Sequence, residues 1–253
     1  MIPTFLEEFK SEIEKFKLET VRITAIPNVN KSPLSLKQSK FLGTPFFPIR
    51  LEYPKNKLGK PLIMWAQLNF EEIPDLINFP QKGILQFFLS PVFWGDIREG
   101  DLRIFYHENL DQETITDFSF LEPELYEDSP IHIGHSLSFK KEVEYGSTED
   151  IRFTPKFKGK TFYEFAESLT KEKKEELTKF FHICGHKLGG YAYFTQTDPR
   201  QYDRKMRDHL LLLQIDTDDK IVFGDAGVCN FFISKEDLRN KNFTNVYFYW
   251  DCG

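Results

Sequence analysis

Four apolar blocks occur twice in this chain, in the same order and at similar spacing. The first series is 40–47 (KFLGTPFF), 62–69 (LIMWAQLN), 83–90 (GILQFFLS) and 102–107 (LRIFYH). The second begins roughly 145 residues further on, with 186–194 (HKLGGYAYF), 209–216 (HLLLLQID), 227–234 (GVCNFFIS) and 246–251 (VYFYWD). A recurrence of this kind implies a duplicated structural unit. The repeats span roughly 39–110 and 185–253, joined by strands and helices over 111–184. The expected fold is α+β: an internal duplication of a mainly antiparallel β unit with flanking amphipathic helices. Its two halves should pack intimately in one domain over 1–253, because no low-complexity linker separates them.

The chain holds 27 Phe, many of them in doublets such as Phe46-Phe47, Phe87-Phe88, Phe180-Phe181 and Phe231-Phe232. Adjacent side chains on a strand point to opposite faces. Each strand doublet therefore predicts a sheet covered on both sides. Net charge is -6, and no basic run is dense enough to follow a phosphate backbone, which argues against nucleic acid as a partner. No stretch approaches the 18 or so apolar residues of a spanning helix, so no membrane association is expected. The start of the chain lacks the basic-then-apolar plan of a signal peptide. Its 3 Cys (Cys184, Cys229, Cys252) are widely spread, which suits reduced thiols in a cytoplasm.

Residues 4–18 read as an amphipathic helix, with Phe5, Phe9, Ile13 and Phe16 at helical spacing and a capping box at Thr4 and Glu7. Strands are expected near 21–25, 62–68, 83–89, 102–106, 209–216, 228–233 and 245–250, and short strands or ribbons within 115–145. Helices are expected at 162–168 and 171–183, ending before Gly185, and a short one begins at Ser234 and Asp237. The turn-rich stretch 128–160 is the expected boundary between halves.

Known catalytic and cofactor motifs are absent: no GxGxxG, no P-loop, no GxSxG and no CxxC. His182, Cys184 and His186 have metal-like spacing but too few donors for a zinc site, and His132 and His135 are weaker still. No metal and no cofactor is expected. The comparison of the two series is more informative. Gln67 matches Gln214, so a buried amide at this point should make a structural hydrogen bond. Asn69 corresponds to Asp216, and Gln81 roughly to Asp225, so the second series has carboxylates where the first has amides. With His186, Gln196, Asp218, Asp219 and Asp251 nearby, a polar pocket is expected in the second repeat. Its candidate ligand-binding residues are His186, Gln196, Gln214, Asp216, Asp225 and Asp251. Acidic residues beside glycine also serve as ordinary turn formers.

Several of these blocks carry a family resemblance: HKLGGY at 186–191, Gln196, LLLLQID at 210–216, GDAGVCNFFI at 224–233, DL at 237–238 and FYWDC at 248–252, with KFLGTPFFP and LIMWAQLNF earlier. The chain resembles the YwqG-like family of bacterial proteins of unknown function from about residue 39 to the end. Phe223 stands where the family often has Trp, and Leu42 where Gly is common. The resemblance implies an α+β fold with an internal repeat and a cytoplasmic bacterial setting, and brings no established catalytic residues. Relatives have been suspected of acting as immunity-type partners of toxins. The expected function is thus a non-catalytic binding module, with a toxin-like protein as its partner. The alternative is a ligand-binding protein or hydrolase-like enzyme using a polar, acidic pocket in the second repeat. Oligomeric state is left open.

Overall fold

The apolar runs of both series form strands that are closed to solvent along almost their whole length, as runs without polar alternation must be. In the computed structural model, which describes residues 2–91 and 100–253, these are β3 (Ile63–Asn69), β4 (Ile84–Leu89), β8 (Leu210–Asp216) and β9 (Val228–Ile233). Shorter strands complete each group: β2 (Lys40–Phe41) and β5 (Leu102–His107) in one, β7 (Lys187–Gly189) and β10 (Tyr247–Asp251) in the other. Two strands of 10 residues, β1 (Leu18–Pro27) and β6 (His135–Glu144), lie between the groups.

All join one ten-stranded sheet in the order β10-β9-β8-β7-β1-β6-β2-β3-β4-β5. Every described strand pair is antiparallel. About the central β1–β6 pair, the recurring blocks take corresponding places on the two sides. Lys40 lies opposite Gln67 as Lys187 lies opposite Gln214. Gln67 pairs with Gln86 as Gln214 pairs with Asn230. The register also slips at corresponding points, between Met64 and Ala66 and between Leu211 and Leu213.

The sheet curls into a half-barrel, so that its two arms face each other across the main core. Phe87 of β4 meets Phe231 of β9 with ring centroids 4.7 Å apart, and Trp65 meets Phe248 at 6.0 Å. The neighbouring members of the doublets point the other way. Phe88 packs with Phe47 and Tyr53 in one outer cluster, and Phe232 with Phe194 and Ala192 in another. Both faces of each arm are therefore covered, for the stereochemical reason that strand side chains alternate, whereas the central β1–β6 pair leaves residues such as Ile26, Lys140 and Val143 exposed.

A further apolar cluster joins the N-terminal segment to α2 (Phe162–Glu167) and α3 (Lys171–Phe181). Thr161 and Glu164 form a reciprocal capping box at the start of α2. Ser234 caps α4 (Lys235–Arg239) through the Asp237 amide at 3.0 Å.

Two expectations about local structure need correction. Residues 4–18 do not form one α-helix: 3-10 turns at Thr4–Phe9 and Glu14–Phe16 flank α1 (Lys10–Ile13). The tighter winding brings i and i+3 into line, so Leu6 and Phe9 are buried, while Phe5 packs against the same cluster only in part. The Thr4 capping box is not made, because Pro3 occupies the N-cap position. Among the described residues of 115–145, only β6 is a strand. It lies inside the stretch 128–160 and pairs with β1 along its whole length. The stretch 92–99, between the third and fourth blocks of the first series, lies outside the described residues.

Candidate functional site

Beyond β7 the chain abandons regular structure, and residues 190–198 cross the second arm as an extended loop. Its amides would be orphaned without partners. Buried side chains from four separate elements supply them. Glu144, at the end of β6, accepts the Tyr191 amide at 2.8 Å, and Asp150 accepts that of Ala192 at 2.9 Å. Gln214 of β8 accepts from Tyr193 at 2.8 Å. Asp251 of β10 takes both Thr195, at 3.2 Å, and Gln196, at 3.0 Å. Asp198 closes the far end by accepting from Ile151 and Arg200.

Carboxylates enclosed in this way need counter-charges. Glu144 Oε1 accepts from Lys187 Nζ at 2.7 Å and lies 3.2 Å from Arg22. Asp150 is shared between Arg152 and Arg200, at 2.6 and 2.9 Å, and Arg200 also grips Asp198 at 2.6 Å. Burial alone would raise the Asp150 pKa, but the two guanidiniums outweigh it and hold the carboxyl well below the usual range. Burial has the upper hand at Lys187, whose pKa falls to about 8 despite Glu144.

The pinned loop forms one wall of a cleft of about 650 Å³. Tyr193 and Gln196 line this wall, and Glu149, Tyr163, His182 and Gln201 line other parts of the cleft. The His182 ring meets Tyr193 edge-on at 5.1 Å. Among the described residues, Glu149 has only hydroxyl partners, Ser147 at 3.0 Å and Thr148 at 2.5 Å. No Lys or Arg among the described residues lines the cleft or pairs with Glu149. The two nearby guanidiniums are already held by Asp150 and Asp198. The Tyr193 phenol shows the resulting field: burial raises its pKa first, and Asp216, Glu149 and Asp251 push it the same way.

The six residues singled out from the second series fall into three places. Gln196, Gln214 and Asp251 belong to the pinned loop. Gln196 lines the cleft and donates to the Cys252 carbonyl at 2.7 Å, while Gln214 and Asp251 hold the wall from behind. His186 and Asp216 form a second group beside Gly185. Asp216 accepts the Gly185 amide at 2.5 Å, and His186 Nδ1 accepts the Asp216 amide at 2.9 Å. His186 Nε2 lies 3.1 Å from Asp218, whose pKa is held at about 2 against the effect of burial by this contact and by the Lys220 and Ile221 amides. Asp225 is exposed in the turn before β9, where its carbonyl accepts the Gly253 amide at 3.3 Å.

Gln67, in the first arm, accepts from the Phe46 amide at 2.8 Å and donates to the Leu36 and Gln38 carbonyls at 2.9 and 2.8 Å. Gln214 likewise joins the Tyr193 amide to the Gly185 carbonyl. Among the described residues, no group of three His, Cys, Asp or Glu is placed to hold a metal ion. No helix among them is long and apolar enough to cross a membrane.

Glu144, Glu149, Asp150, Arg152, Asp198 and Arg200 escape a reading that compares the two series, because none lies in a recurring block. One signal for them is present in the sequence. Both series place a lysine, Lys40 and Lys187, inside an apolar block, and each is fully closed to solvent. Such a lysine demands a partner from elsewhere.

None of the curated proteins compared with the chain matches it. Residues 39–252, which include both sheet arms and the pinned loop, match the family described as a domain of unknown function, DUF1963, and the chain belongs to that family.

Proposed function

We propose that this chain is a non-catalytic binding module, and that its cleft receives a basic side chain from a protein partner. The observation that carries this reading is Glu149. It is a half-buried carboxylate in an aromatic-walled cleft, with hydroxyl partners and, among the described residues, no ion-pair partner. An aromatic wall and an unmatched carboxylate suit a guanidinium or ammonium on an aliphatic stem. The rigid backing of the cleft lowers the ordering cost of binding. Exposed Tyr163 and Tyr202, 67% and 77% accessible, stand near the cleft as contact residues for a protein surface. Covering a basic residue of a toxin would be the action of an immunity-type partner, in the cytoplasmic bacterial setting of YwqG-like proteins. The matched registers, bulges and glutamines of the two arms support an origin by duplication, with the second arm elaborated into the recognition site.

Calorimetry with the full chain tests the reading. A capped Gly-Arg-Gly peptide should bind, and Glu149→Gln should weaken it about tenfold, or about 1.4 kcal/mol. Raising salt should weaken it further. Equal binding of a Gly-Gln-Gly peptide, or no effect of Glu149→Gln, would rule the reading out.

A further inference from the structure

Gly189 and Gly190 border a second concavity, separate from the cleft and of opposite character. It has a volume of about 300 Å³ and lies where the start of β1, the 76–79 loop, the start of β8 and the first residue of α4 meet. Leu18, Leu76, Phe79 and Leu211 make an apolar interior. Glycine suits position 189: φ is +64°, and a Cβ would lie 2.7 Å from Leu76 Cδ2 and push this leucine from the pocket wall.

The mouth is basic, in a chain whose net charge is -6. Lys17, Lys235 and Arg152 line it. Arg152 is neutralised by Asp150. Lys17 and Lys235 are exposed and have no ion-pair partner among the described residues. The one acidic lining residue, Glu19, is engaged by Lys141 at 3.0 Å. An apolar interior beneath two unmatched ammonium groups is complementary to a ligand with an aliphatic body and an anionic head. The volume accommodates about ten heavy atoms at roughly 30 Å³ each.

We propose that this pocket binds a free medium-chain aliphatic carboxylate, with its chain against Leu76 and Leu211 and its head between Lys17 and Lys235. The site does not depend on the cleft or on what the cleft binds. Octanoate, titrated into the full chain and followed by methyl NMR, should saturate with shifts at Leu76 and Leu211. Octanol and octylammonium should bind at least tenfold more weakly. The surface double variant Lys17→Glu/Lys235→Glu should weaken octanoate about tenfold or more, and Leu76→Trp should fill the pocket and abolish binding. Methyl signals of the sheet core away from the pocket, such as Ile63 and Leu68, should be unchanged in the same variants and report that each is folded. Octylammonium binding as tightly as octanoate, an unchanged affinity in the double variant, or failure of octanoate to shift these leucines would each overturn the proposal.

Discussion

Glu144 and Lys187 meet at 2.7 Å in the interior, on neighbouring sides of β1, with side chains 3% and 0% accessible. The same carboxylate holds the Tyr191 amide with its other oxygen, so one ion pair links the sheet centre to the pinned loop. Glu144→Gln keeps the shape but leaves Lys187 enclosed without its counter-charge. Breaking such a pair costs about 3–5 kcal/mol, and urea denaturation should show a loss of that order. Lys187→Met should cost less, because Glu144 retains Arg22 at 3.2 Å. The double variant should recover part of the Glu144→Gln loss.

His107 gives the fold a defined acid response. Burial, and then Arg50, push its pKa down from 6.5 to about 4. The folded chain therefore binds fewer protons than the unfolded chain between these values, and stability is lost as pH falls through that window. The decline between pH 6.5 and pH 5 should be up to about 1.4 kcal/mol per unit from this residue. His135 and His209 are shifted in the same direction by burial and add to the effect. His107→Gln, which can still donate to Gln86, should make the decline shallower in denaturant titrations at each pH.

The sheet was legible because its signals are local. Apolar blocks gave the strands, and the doublets Phe87-Phe88 and Phe231-Phe232 announced two covered faces. The winding of the N-terminal segment is not legible, because spacing of three and four residues fits 3-10 and α geometry alike, and only the fold shows Leu6 and Phe9 enclosed with Phe5 at the edge of their cluster. Gln196, Gln214 and Asp251 could be found by comparing the two series. Their partners in the wall, Glu144 and Asp150, could not: they lie in the connecting segment, and only the tertiary fold brings them to the 190–198 loop. Asp225 looked equivalent to them in sequence, yet its turn faces solvent.

Corresponding glycines should respond differently to the same change. Gly43 and Gly190 both have positive φ, +92° and +72°. A Cβ on Gly43 meets nothing nearer than 3.7 Å, so Gly43→Ala should cost about 1 kcal/mol, the left-handed backbone penalty. A Cβ on Gly190 would lie 2.3 Å from Glu144 Oε2. Gly190→Ala must therefore displace the carboxylate that holds Lys187 and Tyr191, and thermal denaturation should show a loss at least twice as large.

Recognition in the cleft requires the 190–198 loop to be a rigid wall, held by side chains instead of by strand pairing. Amide hydrogen exchange resolved at Tyr191, Ala192, Tyr193, Thr195 and Gln196 measures this directly. These amides should exchange far more slowly than those of the exposed 202–208 turn, and Asp251→Asn should selectively speed Thr195 and Gln196. Exchange in the wild-type loop as fast as in the 202–208 turn would contradict the account.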